Sequence, residues 1–279
     1  MQDQWPRSAR FDAPRIVEAL AAEHGIRLTI DGPCPGGEVG AAYVRWPDGR
    51  RSVLNSGSPH AGPLLDLARA AGLPAPRYEL VTELGGTTVI VQQRLPGAPP
   101  TTVDDDLVDQ LAGFNDRCAG LLAGRPDLPA PGLFLTTDGP GFCLHEPLAA
   151  HSPRSARLLE RIHEIGATTP PVTGDDLVHL DFHPGNTLVE NGHLTGVIDW
   201  DGAARGDRHF DLVTLAFNLT GSGTPHLAGR LHDRLAHLDE DRRRSYWAHM
   251  SLRQVDWSIR HHDDQTVNHW LTVAESGFA

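Results

Sequence analysis

A chain of 279 residues with 39% apolar and 22% charged residues is composed like a globular protein and can form one large domain or two modest lobes. All 24 basic residues are Arg and Lys is absent, which excludes a P-loop of the Walker type and Schiff-base chemistry on Lys. Because no apolar run is long enough to span a membrane and the N-terminus lacks the apolar core of a signal peptide, we expect a cytoplasmic protein without a membrane partner.

The negative charge lies in the part of the chain after residue 97. Residues 1–97 hold ten acids and ten Arg, whereas residues 98–198 hold 14 acids and five Arg, and the formal net charge of the whole chain is −12. An acidic surface attracts cations and repels nucleic acid. We therefore expect no nucleic-acid partner and consider a cationic small-molecule partner, beside the simpler interpretation of a surface kept soluble by its charge.

The first hundred residues are predicted to be rich in strands. Asp12 as a cap and Gly25 as a stop predict a first helix over 13–24. Short apolar runs predict strands at 27–30, 41–45, 51–54, 78–82 and 87–92, with a second helix over 63–71. Gly36, Gly37 and Glu38 belong to a glycine-rich turn before the second strand. Such a turn can lie over phosphate groups because no Cβ obstructs its backbone, although a plain hairpin turn is the simpler interpretation of these residues alone.

A Pro- and Gly-rich stretch, residues 92–100, follows these strands, and the chain after it is mainly helical. We predict a hinge at about 92–97 between an N-lobe, 1–95, and a C-lobe, 96–279. The clearest helix follows the hinge, with apolar residues at spacings of four and three from Leu107 to Leu121. Further helices are predicted from Ser152 onward and over 210–218, 227–238 and 243–261.

The stretch from His179 to Asp201 carries the most informative pattern. It begins with an H-x-D-x-x-x-x-N run formed by His179, Asp181 and Asn186. Two short strands are predicted next, at 187–189 and 194–198, with the pair Asn191-Gly192 between them. The acid Asp199 follows the second strand. Because Asn-Gly favours a two-residue hairpin turn, we expect the hairpin to return Asp199 to the loop of Asp181 and Asn186. Carboxylate and amide oxygens suit Mg²⁺.

A zinc site is the alternative for part of this stretch. His179, Asp181 and His183 alternate along the chain and could supply two imidazoles and a carboxylate. That arrangement gives no role to Asn186 or to the hairpin that leads to Asp199, so we favour the Mg²⁺ interpretation.

The segment HLDFHPGNTLV followed by GVIDWDGAARGDRHFDLV resembles the aminoglycoside phosphotransferase and choline kinase branch of the protein-kinase-like fold. The order of parts is also similar over roughly residues 20–220: glycine-rich hairpin, helix, LPAP, strand, LPG and helical lobe. The resemblance implies an α+β fold of two lobes, with a strand-rich N-lobe and a mainly helical C-lobe. It also implies Mg²⁺-dependent transfer of the γ-phosphoryl group of ATP or GTP to a hydroxyl of a small molecule.

The resemblance also implies roles for individual residues. Asp181 matches the catalytic base, and Asn186 and Asp199 match the Mg²⁺ ligands. His179, Asp207 and Asp211 match residues that brace the loop. The nucleotide would be contacted by Gly36, Gly37, Glu38, Gln93, Leu95, Leu188 and Ile198.

Two positions depart from the family pattern. The family's phosphate-holding Lys is replaced by Asn55, and its Glu partner is missing, because the following helix offers only His60, Gly62 or Asp66 near that position. Either the phosphates are held differently, by Arg45, Arg51 or backbone, or the chain is a catalytically silent nucleotide-binding module. The complete set of Asp181, Asn186 and Asp199 favours an active enzyme.

For the acceptor, the acidic lobe favours a cationic antibiotic, either an aminoglycoside or a basic cyclic peptide of the capreomycin and viomycin type. A kinase of choline, homoserine or a sugar is the alternative within the family. Acids recognise ammonium and guanidinium groups, and a Trp can stack on a planar part of a ligand. The candidate acceptor-binding residues are Glu146, Asp201, Asp256, Trp257 and Asp263.

Overall fold

The structure is a computed structural model that describes residues 11–35, 40–128 and 130–278. The chain forms two compact units, which we call the sheet unit and the helical unit. The described part of the sheet unit runs from residue 11 to Pro99, with the gap at 36–39, and includes Thr187–Ala203. The helical unit contains Pro100–Asn186 and the chain from Ala204 onward. The predicted phosphate-contacting residues Gly36, Gly37 and Glu38 lie outside the described residues.

The sheet unit is built on five antiparallel strands in the order β1-β2-β3-β5-β4. Its elements in chain order are α1 (Ala13–His24), β1 (Thr29–Pro33), β2 (Ala42–Arg45), β3 (Arg51–Ser56), α2 (Ala61–Ala70), β4 (Tyr78–Leu84) and β5 (Thr87–Gln93). Apolar side chains of α1 and of the strands, among them Leu20, Val44, Leu54 and Val91, form the core of this unit. The strand-rich N-terminal part predicted from the sequence is confirmed.

Helix α1 shows how closely local sequence signals fix an element here. The side chain of Asp12 accepts a hydrogen bond from the backbone N–H of Arg15 at 3.2 Å and caps the helix. Gly25 ends it with φ 66°, a left-handed conformation that glycine adopts without steric cost. The helix has the predicted bounds.

The sheet unit also contains the hairpin of β7 (Thr187–Glu190) and β8 (His193–Val197). Asn191 and Gly192 both have positive φ, as the predicted two-residue turn requires. The chain that leaves β5 pairs with this hairpin, because Ala98 and Val189 exchange backbone hydrogen bonds of 3.2 and 2.8 Å. This pairing attaches the hairpin to the sheet unit. The functional lobe boundary at 95/96 stays a prediction.

The helical unit is formed by helices with one short pair of strands. Its elements are α3 (Asp105–Arg117), α4 (His145–His151), α5 (Pro153–Thr168), β6 (Asp176–Val178), a 3-10 turn (Pro184–Asn186), β9 (Ala204–Gly206), α6 (His209–Gly221), α7 (Pro225–Ala228), a 3-10 turn (Gly229–Leu231), α8 (His232–Leu235), α9 (Glu240–His261) and α10 (Asp264–Ser276). Strands β6 and β9 pair antiparallel. The core includes Ile162, Phe210, Phe217, Tyr246 and Leu252. The α+β fold class is confirmed.

The prediction of one continuous helix over 227–238 is wrong. The structure breaks this segment into α7, a 3-10 turn that starts at Gly229, and α8. Glycine is a poor residue for a helix interior, which agrees with a break at this position. No helix of the described residues is both long and apolar enough to cross a membrane.

Candidate active site

The loop after β6, which we call the catalytic loop (residues 179–186), is held by a carboxylate from α6. Asp211 is 1% exposed and accepts hydrogen bonds from the backbone N–H groups of His179 at 2.7 Å and Leu180 at 2.9 Å. Leu180 has φ 67°, a conformation that costs a non-glycine residue free energy. The two hydrogen bonds that this one carboxylate accepts stabilise the turn that presents Asp181.

Burial raises the pKa of the Asp211 carboxyl to about 7, although its two backbone donors favour the ionised form. The charges of Asp181 and Asp207 act in the same direction as burial.

One oxygen of the Asp181 carboxylate is fixed by two donors. Its Oδ2 accepts a hydrogen bond from Nδ2 of Asn186 at 3.1 Å and lies 3.0 Å from the guanidinium of Arg253. Burial alone would raise the pKa of this carboxyl, but the positive charge of Arg253, with smaller effects of His183, His179 and Asn186, keeps the pKa below its usual value. Asp181 is therefore held as an ionised carboxylate.

The other oxygen of this carboxylate faces a histidine. Oδ1 of Asp181 lies 3.7 Å from Nε2 of His183, which is beyond hydrogen-bonding distance. Nδ1 of His183 accepts the backbone N–H of Gly185 at 3.1 Å, and burial lowers the pKa of His183, so the ring is neutral. Oδ1 is thus positioned to accept a proton from a further group.

The zinc alternative finds no support in these contacts. Nδ1 of His179 accepts the backbone N–H of Asp181 at 3.3 Å, and Nδ1 of His183 is used by Gly185. Within the described residues, no group of three or more His, Cys, Asp or Glu side chains could hold a metal ion.

Two hydrogen bonds define the orientation of the Asn186 amide. Its Nδ2 donates both to the backbone carbonyl of Asp181 at 3.0 Å and to the carboxylate of that residue at 3.1 Å. Because Nδ2 is the donor, the amide oxygen is directed away from both acceptors. The donor set, an amide oxygen beside an ionised carboxylate, fits the chemistry of Mg²⁺.

A second buried acid, Asp207, joins α6 to α9. It accepts hydrogen bonds from the backbone and the ring of His209, from the hydroxyl of Tyr246 at 2.9 Å, and from Arg242 at 3.4 Å. Burial opposes ionisation, but the hydrogen bonds from His209 lower the pKa of Asp207 to about 2. Asp207 is thus a structural anion of the helical unit.

In the sheet unit, the position of the family's missing Lys has an unusual environment. Asn55 lies on β3 opposite Ile90 of β5. Its Oδ1 is buried, and no described residue donates a hydrogen bond to it. Arg45, one of the two alternatives for holding phosphate, is paired with Asp31 at 2.5 Å, whereas Arg51 is exposed. Arg45 is thus engaged in an ion pair, and Arg51 remains the side-chain alternative.

The predicted metal ligand Asp199 and its neighbour Asp201 follow β8 in the sheet unit. Asp199 is exposed and has φ 65°. Asp201 accepts the backbone N–H of Ser58 at 3.0 Å, so it anchors the loop after β3. Burial raises the pKa of Asp201, and burial together with Asp201 and Asp199 raises the pKa of Tyr78.

Two of the predicted nucleotide-contacting residues, Leu95 and Leu188, approach each other over Gly196 of β8. A Cβ added at Gly196 would lie 2.8 Å from Cδ1 of Leu95 and 3.1 Å from Cδ1 of Leu188. Gly196 therefore allows the two leucines to close over the strand. Gln93 is exposed at the end of β5 and Ile198 is half-buried directly after β8.

The candidate acceptor-binding residues of the helical unit are in different environments. Asp256 is fully buried and pairs with Arg260 at 2.7 Å and with the backbone N–H of Leu144 at 3.1 Å. Its charge is thus engaged inside the protein and does not face a ligand. Asp263 caps α10 through Thr266, Trp257 stacks on His261, and Glu146 is exposed in the first turn of α4.

Arg253 was not foreseen from the sequence. It lies on α9, 72 positions after Asp181, and no local motif marks it. Its proximity to the catalytic loop depends on how α9 packs. The apolar periodicity of α9 predicts only that one face of the helix is buried.

Comparison with known proteins identifies the family. The sequence profile of the phosphotransferase enzyme family matches residues 61–247. Hygromycin-B 4-O-kinase from Escherichia coli is 44% identical over 41 residues, which are 15% of this chain and 12% of that protein.

Solved structures share the fold over nearly the whole chain. A thermostable mutant of aminoglycoside phosphotransferase APH(4)-Ia in its apo form has a TM-score of 0.68 and 19% identity, covering 94% of this chain and 97% of its own. Spectinomycin phosphotransferase APH(9)-Ia, solved with ADP and spectinomycin, has a TM-score of 0.63 and 15% identity, with 97% and 99% of the two chains covered. Since the family profile covers well over half of the sequence, the chain belongs to the phosphotransferase enzyme family.

Proposed function

We propose that this protein transfers the γ-phosphoryl group of ATP to a hydroxyl of a small-molecule antibiotic. The geometry of Asp181 is the observation that supports this most strongly: one carboxylate oxygen is fixed by Asn186 and Arg253, and the other is left to accept a proton. A carboxylate held in this way can orient an acceptor hydroxyl and take its proton as the new bond to phosphorus forms.

The cofactors in this proposal are ATP and Mg²⁺. Asn186 and Asp199 are the proposed Mg²⁺ ligands, on the basis of the sequence motif and of the orientation of the Asn186 amide, whose Nδ2 donates to Asp181. When bound, Mg²⁺ would neutralise charge on the transferred phosphoryl group. The Gln93 carbonyl and the Leu95 N–H are proposed to pair with the base, and Leu188 and Ile198 are proposed to form the wall of its pocket. ATP is preferred because related structures were solved with AMP-PNP and with ADP.

The proposed acceptor is an antibiotic with basic groups. Related structures were solved with hygromycin B and spectinomycin, and the chain carries a net charge of −12. Glu146 and Asp201 are the acids proposed to meet ammonium groups, Trp257 is proposed to stack on the acceptor, and Asp263 remains a peripheral candidate. An acidic site that steers a cation should lose kcat/KM as salt is added, and an unchanged kcat/KM would remove the cationic part of the proposal.

The experiment is a transfer assay with purified full-length protein, Mg²⁺, ATP and a panel of acceptors. The panel contains hygromycin B, spectinomycin, other aminoglycosides, capreomycin, viomycin, choline and homoserine. A mass gain of one phosphate on an antibiotic supports the proposal, and transfer to choline or homoserine alone would replace it with a metabolite kinase. GTP is tested as the donor beside ATP.

A catalytically silent nucleotide-binding module is the second candidate, and Asn55 is the observation that favours it. Without the phosphate-holding Lys, the chain could bind nucleotide and still align its phosphates poorly. Nucleotide binding by calorimetry, without transfer to any acceptor and without hydrolysis of ATP, would support this candidate.

A further inference from the structure

Arg253 contacts the catalytic loop at two consecutive residues. Its Nη1 donates a hydrogen bond to the backbone carbonyl of Leu180 at 2.8 Å, and its Nη2 lies 3.0 Å from Oδ2 of Asp181. The planar guanidinium can satisfy a carbonyl and a carboxylate together because its donors diverge in a fixed fork. Arg253 therefore fixes the backbone before Asp181 and the side chain of Asp181 with a single group.

The backbone that Arg253 holds is the strained part of the loop. Leu180 has φ 67°, and such a conformation persists only where surrounding groups enforce it. Asp211 binds the N–H of Leu180 from one side, and Arg253 binds its carbonyl from the other. The peptide units on both sides of Leu180 are thereby clamped between α6 and α9.

The guanidinium is itself restrained. Its Cζ lies 5.9 Å from the ring centroid of Phe142, near the outer limit of a cation–π contact, and Phe142 packs edge-on against Phe134 with centroids 5.6 Å apart. The Arg253 side chain is 29% exposed, so its charge is partly desolvated and its ion pair with Asp181 is stronger than one at an open surface.

We propose that Arg253 is the positioning residue of the active site, which holds the Leu180–Asp181 turn so that Oδ1 of Asp181 faces the acceptor hydroxyl. This inference rests on the proposed function for the role of Asp181, but the clamp on the loop is a property of the chain alone. Arg253 forms and breaks no bond in the reaction. Beside the effect of its charge on Asp181, it contributes geometry, since a displacement of a catalytic group by about 1 Å can cost about 100-fold in rate.

The test compares Arg253→Ala with Arg244→Ala, an arginine of the same helix for which no side-chain hydrogen bond or ion pair is found among the described residues. Hydrogen exchange is followed on the peptide that covers residues 179–186. Because hydrogen bonds to charged groups are the stronger ones, amide exchange in this peptide should become at least about tenfold faster in Arg253→Ala and stay at the wild-type rate in Arg244→Ala.

Kinetics distinguish positioning from substrate binding. In Arg253→Ala we expect kcat to fall about 100-fold while KM for both substrates changes less than about threefold. Ethylguanidinium added to this variant should restore part of kcat, whereas ethylammonium should not, because it lacks the fork of donors. A raised KM with unchanged kcat would overturn the proposal and make Arg253 an acceptor-binding residue.

The exchange experiment and the transfer assay test the two proposals independently. Exchange at residues 179–186 that is unchanged in Arg253→Ala overturns the clamp, whether or not the wild-type protein transfers phosphate. Absence of transfer by the wild-type protein contradicts the proposed function and leaves the exchange result to decide the clamp. If Arg253→Ala does not fold, Arg253→Lys is measured in its place; faster exchange supports the clamp and wild-type exchange overturns it.

Discussion

The catalytic loop and strand β3 carry the residues of the two halves of the proposed active site, and they differ in how many of those residues have fixed partners. Around Asp181, the backbone and the carboxylate are held by Asp211, Asn186 and Arg253. At Asn55 on β3, a side-chain oxygen is buried without a donor among the described residues. A group can be preorganised for catalysis only where its partners are fixed in advance. The proposed base is thus preorganised in the folded chain, whereas β3 carries Asn55 where the family pattern has its phosphate-holding Lys.

The largest expected effect is on the base itself. Asp181→Ala should lower kcat by about 1000-fold, within the 10²- to 10⁴-fold range of general-base catalysis, and leave nucleotide affinity within about twofold. Steady-state kinetics and calorimetry measure the two quantities. The exposed acid Glu190 provides the control, and Glu190→Ala should retain wild-type kcat. Substantial turnover by Asp181→Ala would show that the loop, however well ordered, does not supply the base.

The next effect concerns the brace of the loop. Asp211→Ala leaves two buried backbone N–H groups without an acceptor, which should lower the free energy of unfolding by about 3 kcal/mol. Asp211→Asn keeps an oxygen acceptor and should cost less. Chemical denaturation measures both variants. Equal losses in the two variants would mean that volume, and not hydrogen bonding, determines stability at this position.

The pKa of Asp211 adds a pH dependence to this prediction. Because its folded pKa is raised to about 7, the folded state binds an extra proton between about pH 4 and pH 7. This carboxyl therefore contributes stability that falls as pH rises through that range. In Asp211→Asn this part of the decline should disappear, and an unchanged profile would contradict the raised pKa.

A smaller effect of pH on stability is expected at Asp207, where stability falls as pH decreases. Its folded pKa is lowered to about 2, so its contribution is present above pH 4 and is lost as pH falls toward 2. The loss should be about 2 kcal/mol for a shift of this size. Denaturation between pH 4 and pH 2 should be less pH-dependent in Asp207→Asn than in the wild type or in a variant of the exposed Asp241. If the profiles coincide, the hydrogen bonds from His209 and Tyr246 do not stabilise the ionised form.

The smallest predicted effect concerns Asn55 on β3. Asn55→Leu removes a buried acceptor to which no described residue donates, and should raise the free energy of unfolding by about 1 kcal/mol. Nucleotide affinity is measured in the same variant. A gain in stability with unchanged affinity would show that the amide is not used, whereas a loss of affinity would assign Asn55 to the nucleotide site.

Several features of this protein could be predicted from the sequence because their causes are local. Asp12 and Gly25 define both ends of α1, and the Asn191-Gly192 pair defines the turn of the β7–β8 hairpin. The spacing of His179, Asp181 and Asn186 indicated the family. In each case the signal lies within a few residues, where capping, turn geometry and motif spacing act.

Other features depend on contacts between distant parts of the chain. Strands β6 and β9 are three residues long and are defined by pairing with each other, so neither has a pattern of its own. Helices α4 and α10 were also not foreseen. Asp256 was expected to face the acceptor because it is an acid near a Trp, yet the packing of α9 buries it against Arg260.

The sequence by itself determined the family motif, the strand-rich and helical parts, and the identity of the proposed base and metal ligands. Only the tertiary structure decided that Arg253 meets Asp181 and that Asp211 holds the strained turn at Leu180. The physical reason is that a side chain's role is set by the electrostatic and hydrogen-bonding partners that folding brings to it. Those partners lie 31 and 72 positions from the residues they hold, since Asp211 binds Leu180 and Arg253 binds Asp181.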